Sequence, residues 1–362
     1  MIHIVAKSEP SKAKERLLRI SAVLLSLVAS GLVIACMGKN PFLVFWKIIT
    51  GSIGKKYYFT QTVHKAIPLT MLSLGISMAF RMKFWNIGAD GQFYMGAFGA
   101  ALVAFKLPDL PMPIMIPMML LSSILFGGLW ATLASFFKNK WGASETLVTL
   151  MLNYIATKWV TYLQFGPWKR PDGFPRMPRF PDAAILPKTG GIHMGWIFTV
   201  ICIALIYVIF KRTKLGYEID VIGESQATAR YAGINVTKVT FITVFLSGAL
   251  CGIAGMMQAS AMEKSLTYQL SGGMGFTAVI TTWLGQLNPI IITVVSFLFS
   301  MLIQGGGGLQ ASMGIQPTMA QVIQGIIIFF VLGSEFFLKY RFVWSRKESI
   351  KETDNEKGRS ES

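Results

Sequence analysis

The chain is short of charge, and shortest of acid. Only 14% of its 362 residues are charged, with 17 Asp and Glu against 34 Lys and Arg, where a soluble domain carries about a quarter. Cysteine is nearly missing. Cys36, Cys202 and Cys251 lie far apart, each in an apolar run, which excludes a disulfide framework or a cysteine zinc site and leaves them as small core residues. Histidine is as scarce. His3, His64 and His193 are isolated in sequence, so no metal is expected on them. The phosphate-cradling glycine loop, the HExxH pair and the nucleophile elbow are all absent. The run Gly305 to Gly308 precedes no Lys-Ser/Thr pair and reads as a flexible joint between two apolar segments. These gaps exclude an ATP hydrolase, and no paired catalytic groups share one depth as a membrane enzyme would need.

Apolar sequence is what the chain has in quantity: 53% of residues and a mean hydropathy of +0.53. A membrane-spanning helix takes roughly 17–25 mostly apolar residues. Segments near 18–37, 63–80, 87–105, 114–137, 144–165, 195–210, 240–260, 274–287, 289–305 and 320–338 qualify, so an all-α polytopic membrane protein with about ten transmembrane helices is expected. The net charge of +17 falls in short clusters between these segments. That distribution suits contact with membrane lipid and not a nucleic-acid partner. With the N-terminus inside, 21 Lys and Arg fall on the inner side and 12 on the outer, so both termini are expected in the cytoplasm. Basic residues before Ile20 to Met37 imitate a signal peptide, and Val33-Ile34-Ala35-Cys36 a lipoprotein box. Ile34 fits that box poorly, and the run reads as an uncleaved first span.

Residues 1–19 then form a cytoplasmic segment, 20–338 the transmembrane domain and 339–362 a cytoplasmic tail with no apolar face, expected to be disordered. Two connecting segments stand out. Residues 166–194 are rich in proline and cannot be helical throughout; they read as an external cap or docking surface, or as a plain linker. Residues 211–239 are polar and cytoplasmic. Within them Ser225 can cap a short helix over 226–231 that Gly233 stops; length and small-residue content favour a docking element for a soluble partner over a simple amphipathic loop.

Polar groups at membrane depth cost about 2.5–3.5 kcal/mol when charged and usually face protein or water. In NIGADGQ, Asn86 can cap a helix with Asp90 in its first turns, where the helix dipole favours an anion. Alternatively Asn86, Asp90 and Gln92 lie along a translocation path or its gate. Gly88, Gly91, Gly96 and Gly99 allow another backbone close. Glu145, Thr149 and Asn153 recur every four residues on one helix face, either as packing between helices or as a pore lining.

These stretches together resemble the permease subunits of bacterial ABC importers, in the family that includes ribose-type sugar and branched-chain amino-acid permeases. NIGADGQ at 86–92, SETLVTLMLNYIA at 144–156, GESQATARYAGINV at 223–236 and GMGFTAVITTWLGQLNP at 273–289 carry the likeness, over roughly residues 60–340. Within the family the closest likeness is to nucleoside, guanosine-type permeases, through the long Pro-rich segment with AILP at 184–187 and LMLNYIA. Ser225-Gln226 departs from the more usual asparagine-proline.

The resemblance implies inverted-repeat-like halves as in type II importers and a second permease chain, related but distinct. It implies separate ATPase subunits that bind ATP-Mg, this chain needing no cofactor, and an extracellular substrate-binding lipoprotein. It also implies that Gly223, Glu224, Ala227, Arg230, Tyr231, Ala232 and Gly233 belong to a coupling helix seated on the ATPase. Trp85, Phe93, Tyr94 and Trp283, with side-chain amides and almost no Lys or Arg in the spans, suit a neutral nucleoside, or else anchor the chain at the membrane interface, as Trp85 beside Arg81 and Lys83 would. A sugar such as ribose is the alternative cargo. An ion-coupled secondary transporter, with Asp90, Glu145 or Glu335 as the proton site, is the alternative mechanism.

Overall fold

The computed structural model describes residues 2–6, 12–170, 172, 174–316 and 318–344. Each of the ten apolar segments falls on a helix. These are α1 (Lys12–Cys36), α3 (Lys56–Arg81), α4 (Ala89–Lys106), α5 (Met112–Trp141), α6 (Glu145–Phe165), α7 (Gly195–Arg212), α10 (Val236–Met257), α11 (Met274–Leu284), α12 (Pro289–Gly307) and α14 (Thr318–Lys339). Among the described residues, five helices are long and apolar enough to cross a membrane, or six if Ser21–Cys36 and Pro41–Ile53 count as one broken span. Sequence patterning missed α8 (Lys214–Glu224), the short α13 (Leu309–Met313) and, earliest in the chain, α2 (Pro41–Ile53). Helix α2 follows Gly38, whose φ of +73° ends α1 in a conformation that suits glycine.

The chain divides into two compact units. The smaller takes in Met1–Pro41 and Val322–Ser362. There β1 (Ile2–Ala6) pairs antiparallel with β4 (Tyr340–Trp344), Ile2 opposite Trp344. The tail expected at 339–362 thus begins with the last residue of α14 and a strand; residues 345–362 lie outside the described residues, as do 7–11 of the N-terminal segment.

The larger unit, Phe42–Gln321, is built around α3, which is buried at every position from Ala66 to Phe80. A helix apolar all round belongs inside a bundle. Helix α10 packs against α3, α4 and α5, and does so backbone to backbone. A Cβ on Gly96 of α4 would lie 2.1 Å from Gly252 Cα, and one on Gly252 would lie 3.1 Å from Gly127 Cα of α5. In lipid, where no hydrophobic effect draws helices together, such contact supplies the dispersion energy of association.

Glycine is used the same way at 305, which corrects the expectation of a flexible joint. Gly305 to Gly307 close α12, and a Cβ on Gly305 would lie 2.2 Å from the Ile48 carbonyl oxygen of α2. The cysteines divide: Cys251 is buried as expected, Cys202 half-buried and Cys36 exposed.

Candidate translocation and coupling sites

Four of the six polar residues proposed for the path come together in one buried lattice where the chain enters α4. The amides of Asn86 and Gln92 bond each other reciprocally, Gln92 Nε2 to Asn86 Oδ1 at 2.8 Å and Asn86 Nδ2 to Gln92 Oε1 at 3.2 Å. Asn86 Nδ2 also reaches Ser247 Oγ of α10 at 3.2 Å. From α6, Asn153 clamps the turn on both sides: its Nδ2 donates to Ile87 O at 2.8 Å, and its Oδ1 accepts from Gly91 N at 2.7 Å. Thr149 Oγ1 accepts from Ile87 N at 3.3 Å. Asn86 does not itself cap α4, since the N-cap is Gly88; its Oδ1 accepts the Gly88 N–H at 3.0 Å and so fixes the turn leading in. Glu145 lies apart, at the start of α6, paired with Lys138 Nζ at 2.8 Å.

Asp90 does stand in the first turn of α4, yet it serves another helix. Its Oδ1 accepts from Ser271 Oγ and, at 2.9 Å, from Gly275 N in the first turn of α11. A carboxylate here meets an otherwise unpaired N–H and the positive end of α11. Tyr94, one turn further along α4, donates to Tyr268 O at 2.6 Å. Sequence reasoning missed Ser247 and Ser271; the glycine-rich SGGMG preceding a helix was the one available hint for the latter.

In its described residues the proline-rich segment is ordered and is not a plain linker. It holds a 3-10 turn (Asp182–Ala184) and a hairpin of β2 (Lys188–Thr189) and β3 (Ile192–His193), with Met177, Phe180, Ala184, Leu186 and His193 buried. Because proline denies it a regular ladder, the hydrogen bonds that hold it come from elsewhere. Gln164 at the end of α6 donates to Pro175 O at 2.9 Å and accepts from Tyr268 N at 3.0 Å. Ser260, in the π-helical stretch Gln258–Glu263 that extends α10, accepts from Leu186 N at 3.0 Å and donates to Ala184 O at 2.6 Å. Between this segment and residues 263–269 opens a cavity of about 780 Å³, its rim carrying Arg170, Arg176, Arg179 and Lys264 beside Gln164 and Tyr268.

The 211–239 segment folds as two helices, α8 (Lys214–Glu224) and α9 (Gln226–Tyr231). The caps are those read from the sequence. Ser225 Oγ accepts from Thr228 N at 3.2 Å, and Gly233 takes φ +77° just past the helix end. The inner faces are apolar: Ile219, Ile222 and Ala229 pack into one cluster with Ala79, Met82, Phe84, Leu152 and Val239. Gly223 is buried, and a Cβ there would lie 2.2 Å from the Arg81 carbonyl oxygen. Arg81, at the end of α3, forks onto both carboxylate oxygens of Asp220, with Nη2 to Oδ2 at 2.8 Å, and its guanidinium lies 4.3 Å over the Phe210 ring. The outer face is bare: Glu224, Ala227, Arg230, Tyr231, Ala232 and Gly233 are exposed, Tyr231 to 97%.

Of the aromatic residues, Phe93 and Tyr94 are buried, whereas Trp85 is 39% exposed and stacks on Trp283, centroids 5.5 Å apart and 19° from parallel. Phe80 meets Trp85 edge-on and Trp283 at a tilt. Two of the three histidines are not isolated in space, which corrects the sequence reading: His64 of α3 and His193 of β3 lie with ring centroids 5.0 Å apart. Burial, with the charges of His64 and Lys188 adding, pushes His193 down to about 4, so its imidazole is neutral.

A helical bundle with several apolar spans and a helical arm anchored in its core defines a multi-pass membrane protein. Residues 58–332 match the family described as branched-chain amino acid transport system / permease component, and the chain belongs to it. It is 27% identical to the glucose ABC transporter permease protein TsgB13 of Haloferax volcanii, covering 88% of this chain and 87% of that one. It is 24% identical to the nucleoside ABC transporter permease protein NupB of Lactococcus lactis, over 96% and 99%. It is 26% identical to the guanosine ABC transporter permease protein NupP of Bacillus subtilis, over 86% and 92%. The chain is therefore a permease subunit of an ABC transporter and not an enzyme, and ATP is hydrolysed by separate ATPase subunits.

Proposed function

We propose that this permease imports a neutral nucleoside across the cytoplasmic membrane, pairing with a second, related permease chain. The observation that carries the cargo is the match to a nucleoside permease along nearly the whole length of both chains. Two features support it. No Lys or Arg is fully buried among the described residues, so past the basic rim of the outer cavity a phosphate or carboxylate would meet no buried cation. The Trp85–Trp283 stack also offers the partly open aromatic face on which a base gains about 1–3 kcal/mol.

In this reading both termini are cytoplasmic, and the cavity under residues 166–194 receives cargo from a substrate-binding lipoprotein. Asn86, Gln92, Thr149 and Asn153 fix the wall of the path, and Asp90, which holds α11, is its gate. The exposed face of α9 seats on an ATPase that binds ATP-Mg. Because α8 and α9 are anchored through Ile219, Ile222, Ala229 and the Arg81–Asp220 pair, motion of the ATPase is passed to α3 and α10 without slack.

The test is uptake by proteoliposomes containing the complete transporter and its binding protein. ATP-dependent accumulation of guanosine, unaffected by collapse of the proton gradient and weakened at least tenfold by Trp283→Ala, is expected. Uptake of leucine or a sugar but of no nucleoside overturns the cargo; uptake without ATP overturns the mechanism. A glucose-type sugar is the second reading, favoured by the match to the Haloferax glucose permease, and competition between guanosine and glucose separates the two.

A further inference from the structure

The mechanism above leaves the His64–His193 pair without a task, although its construction is unusual. Both side chains are at least 98% buried, one on α3 and one on the β2–β3 hairpin. None of the four ring nitrogens makes a hydrogen bond of sound geometry, although the backbone of Gly191 lies near the His64 ring and that of His64 near the His193 ring, and buried polar groups are normally fully paired. A thioether lies on the Gly195 side of His193. A Cβ on Gly195 would be 2.6 Å from His193 Nδ1 and 3.2 Å from the sulfur of Met257, which is itself buried. We propose that His64, His193 and Met257 form a binding site for a soft transition-metal cation of low coordination number, for which copper(I) is the matching ion.

The donor set selects the metal. A thioether is a soft, uncharged ligand and imidazole one that copper accepts readily, so the set suits copper(I) and leaves the hard, oxygen-seeking divalent ions poorly served. The separation fits as well. An ion about 2.0 Å from one nitrogen of each ring sits about 3.2 Å from each ring centre, so centroids 5.0 Å apart place the two bonds at about 100–110°. A third ligand completes a three-coordinate site at such an angle. The nearby Lys188 ammonium, the one charged group acting on both rings, opposes a divalent ion more than a monovalent one. Bound there, the ion would tie the β2–β3 hairpin to α3.

The experiment titrates the purified full-length chain, anaerobic and in detergent micelles, with copper(I) against a chromophoric copper(I) chelator. One ion withdrawn from the chelator per chain is expected, with X-ray absorption showing two nitrogen scatterers and one sulfur. His193→Gln should weaken binding at least tenfold, and Met257→Leu should weaken it several-fold and remove the sulfur scatterer. Gel filtration and melting without copper monitor folding; should His193→Gln fail to fold, Met257→Leu and the wild-type spectrum decide. No withdrawal of copper, a spectrum lacking the sulfur, or unchanged affinity in both variants overturns the proposal. The cargo does not enter this test, so its failure leaves the nucleoside reading standing.

Discussion

Residues 166–194 and 211–239 are connecting segments of equal length, held to the bundle by opposite means. The first carries most of the chain's extramembrane proline, forms one short hairpin and is pinned by side chains that belong to other elements, chiefly Gln164 and Ser260. The second carries no proline and folds into two helices whose own Ile219, Ile222 and Ala229 hold it by packing. A segment fastened by a few hydrogen bonds is released by losing one of them. A segment fastened by packing resists such losses but has no tolerance for added volume. The first is thus built to be undone locally, and the second to move only with what it rests on.

Four substitutions sharpen or break this contrast, in descending order of effect. Gly223→Ala should be the most damaging: its Cβ meets backbone at 2.2 Å, which forces α8 off the end of α3 at about 2–3 kcal/mol. A lowered melting temperature with loss of transport-linked ATPase activity is expected, and wild-type melting would show that the arm is held loosely after all. Gln164→Leu leaves the Pro175 carbonyl and the Tyr268 N–H without partners, at about 2 kcal/mol. Hydrogen exchange should rise across 174–181 and 265–270 and stay unchanged over 214–231; a rise in both segments would erase the distinction between them. Ser225→Ala removes the α9 cap at about 1 kcal/mol, read as faster exchange of the first α9 amides. Tyr231→Ala should leave stability within about 0.5 kcal/mol, because the ring is 97% exposed. It should nevertheless lower ATPase binding severalfold, and unaltered binding would remove α9 from that contact.

What was legible in the sequence was local. Ser225 and Gly233 bracket α9 through groups two or three residues away, and apolar run length marked nearly every helix. What was not legible depends on partners distant in the chain. Asp90 reads as the acid of its own helix until α11, some 180 residues on, is seen to begin against it. His64 and His193 read as solitary until the hairpin brings one over the other. Glycine misled in one place and informed in another. Gly96 announced close packing correctly, whereas Gly305 looked like a hinge because nothing in the sequence reveals that Ile48 will press against it.

The backbone contact of Gly96, Gly127 and Gly252 has an evolutionary corollary. Most helix junctions can be retuned by trading one side chain for another of different size, but here there is nothing to trade. Selection for a new cargo therefore has no foothold in this joint and must act on the pinned segment, the tryptophans and the rims, around a keel it inherits unaltered.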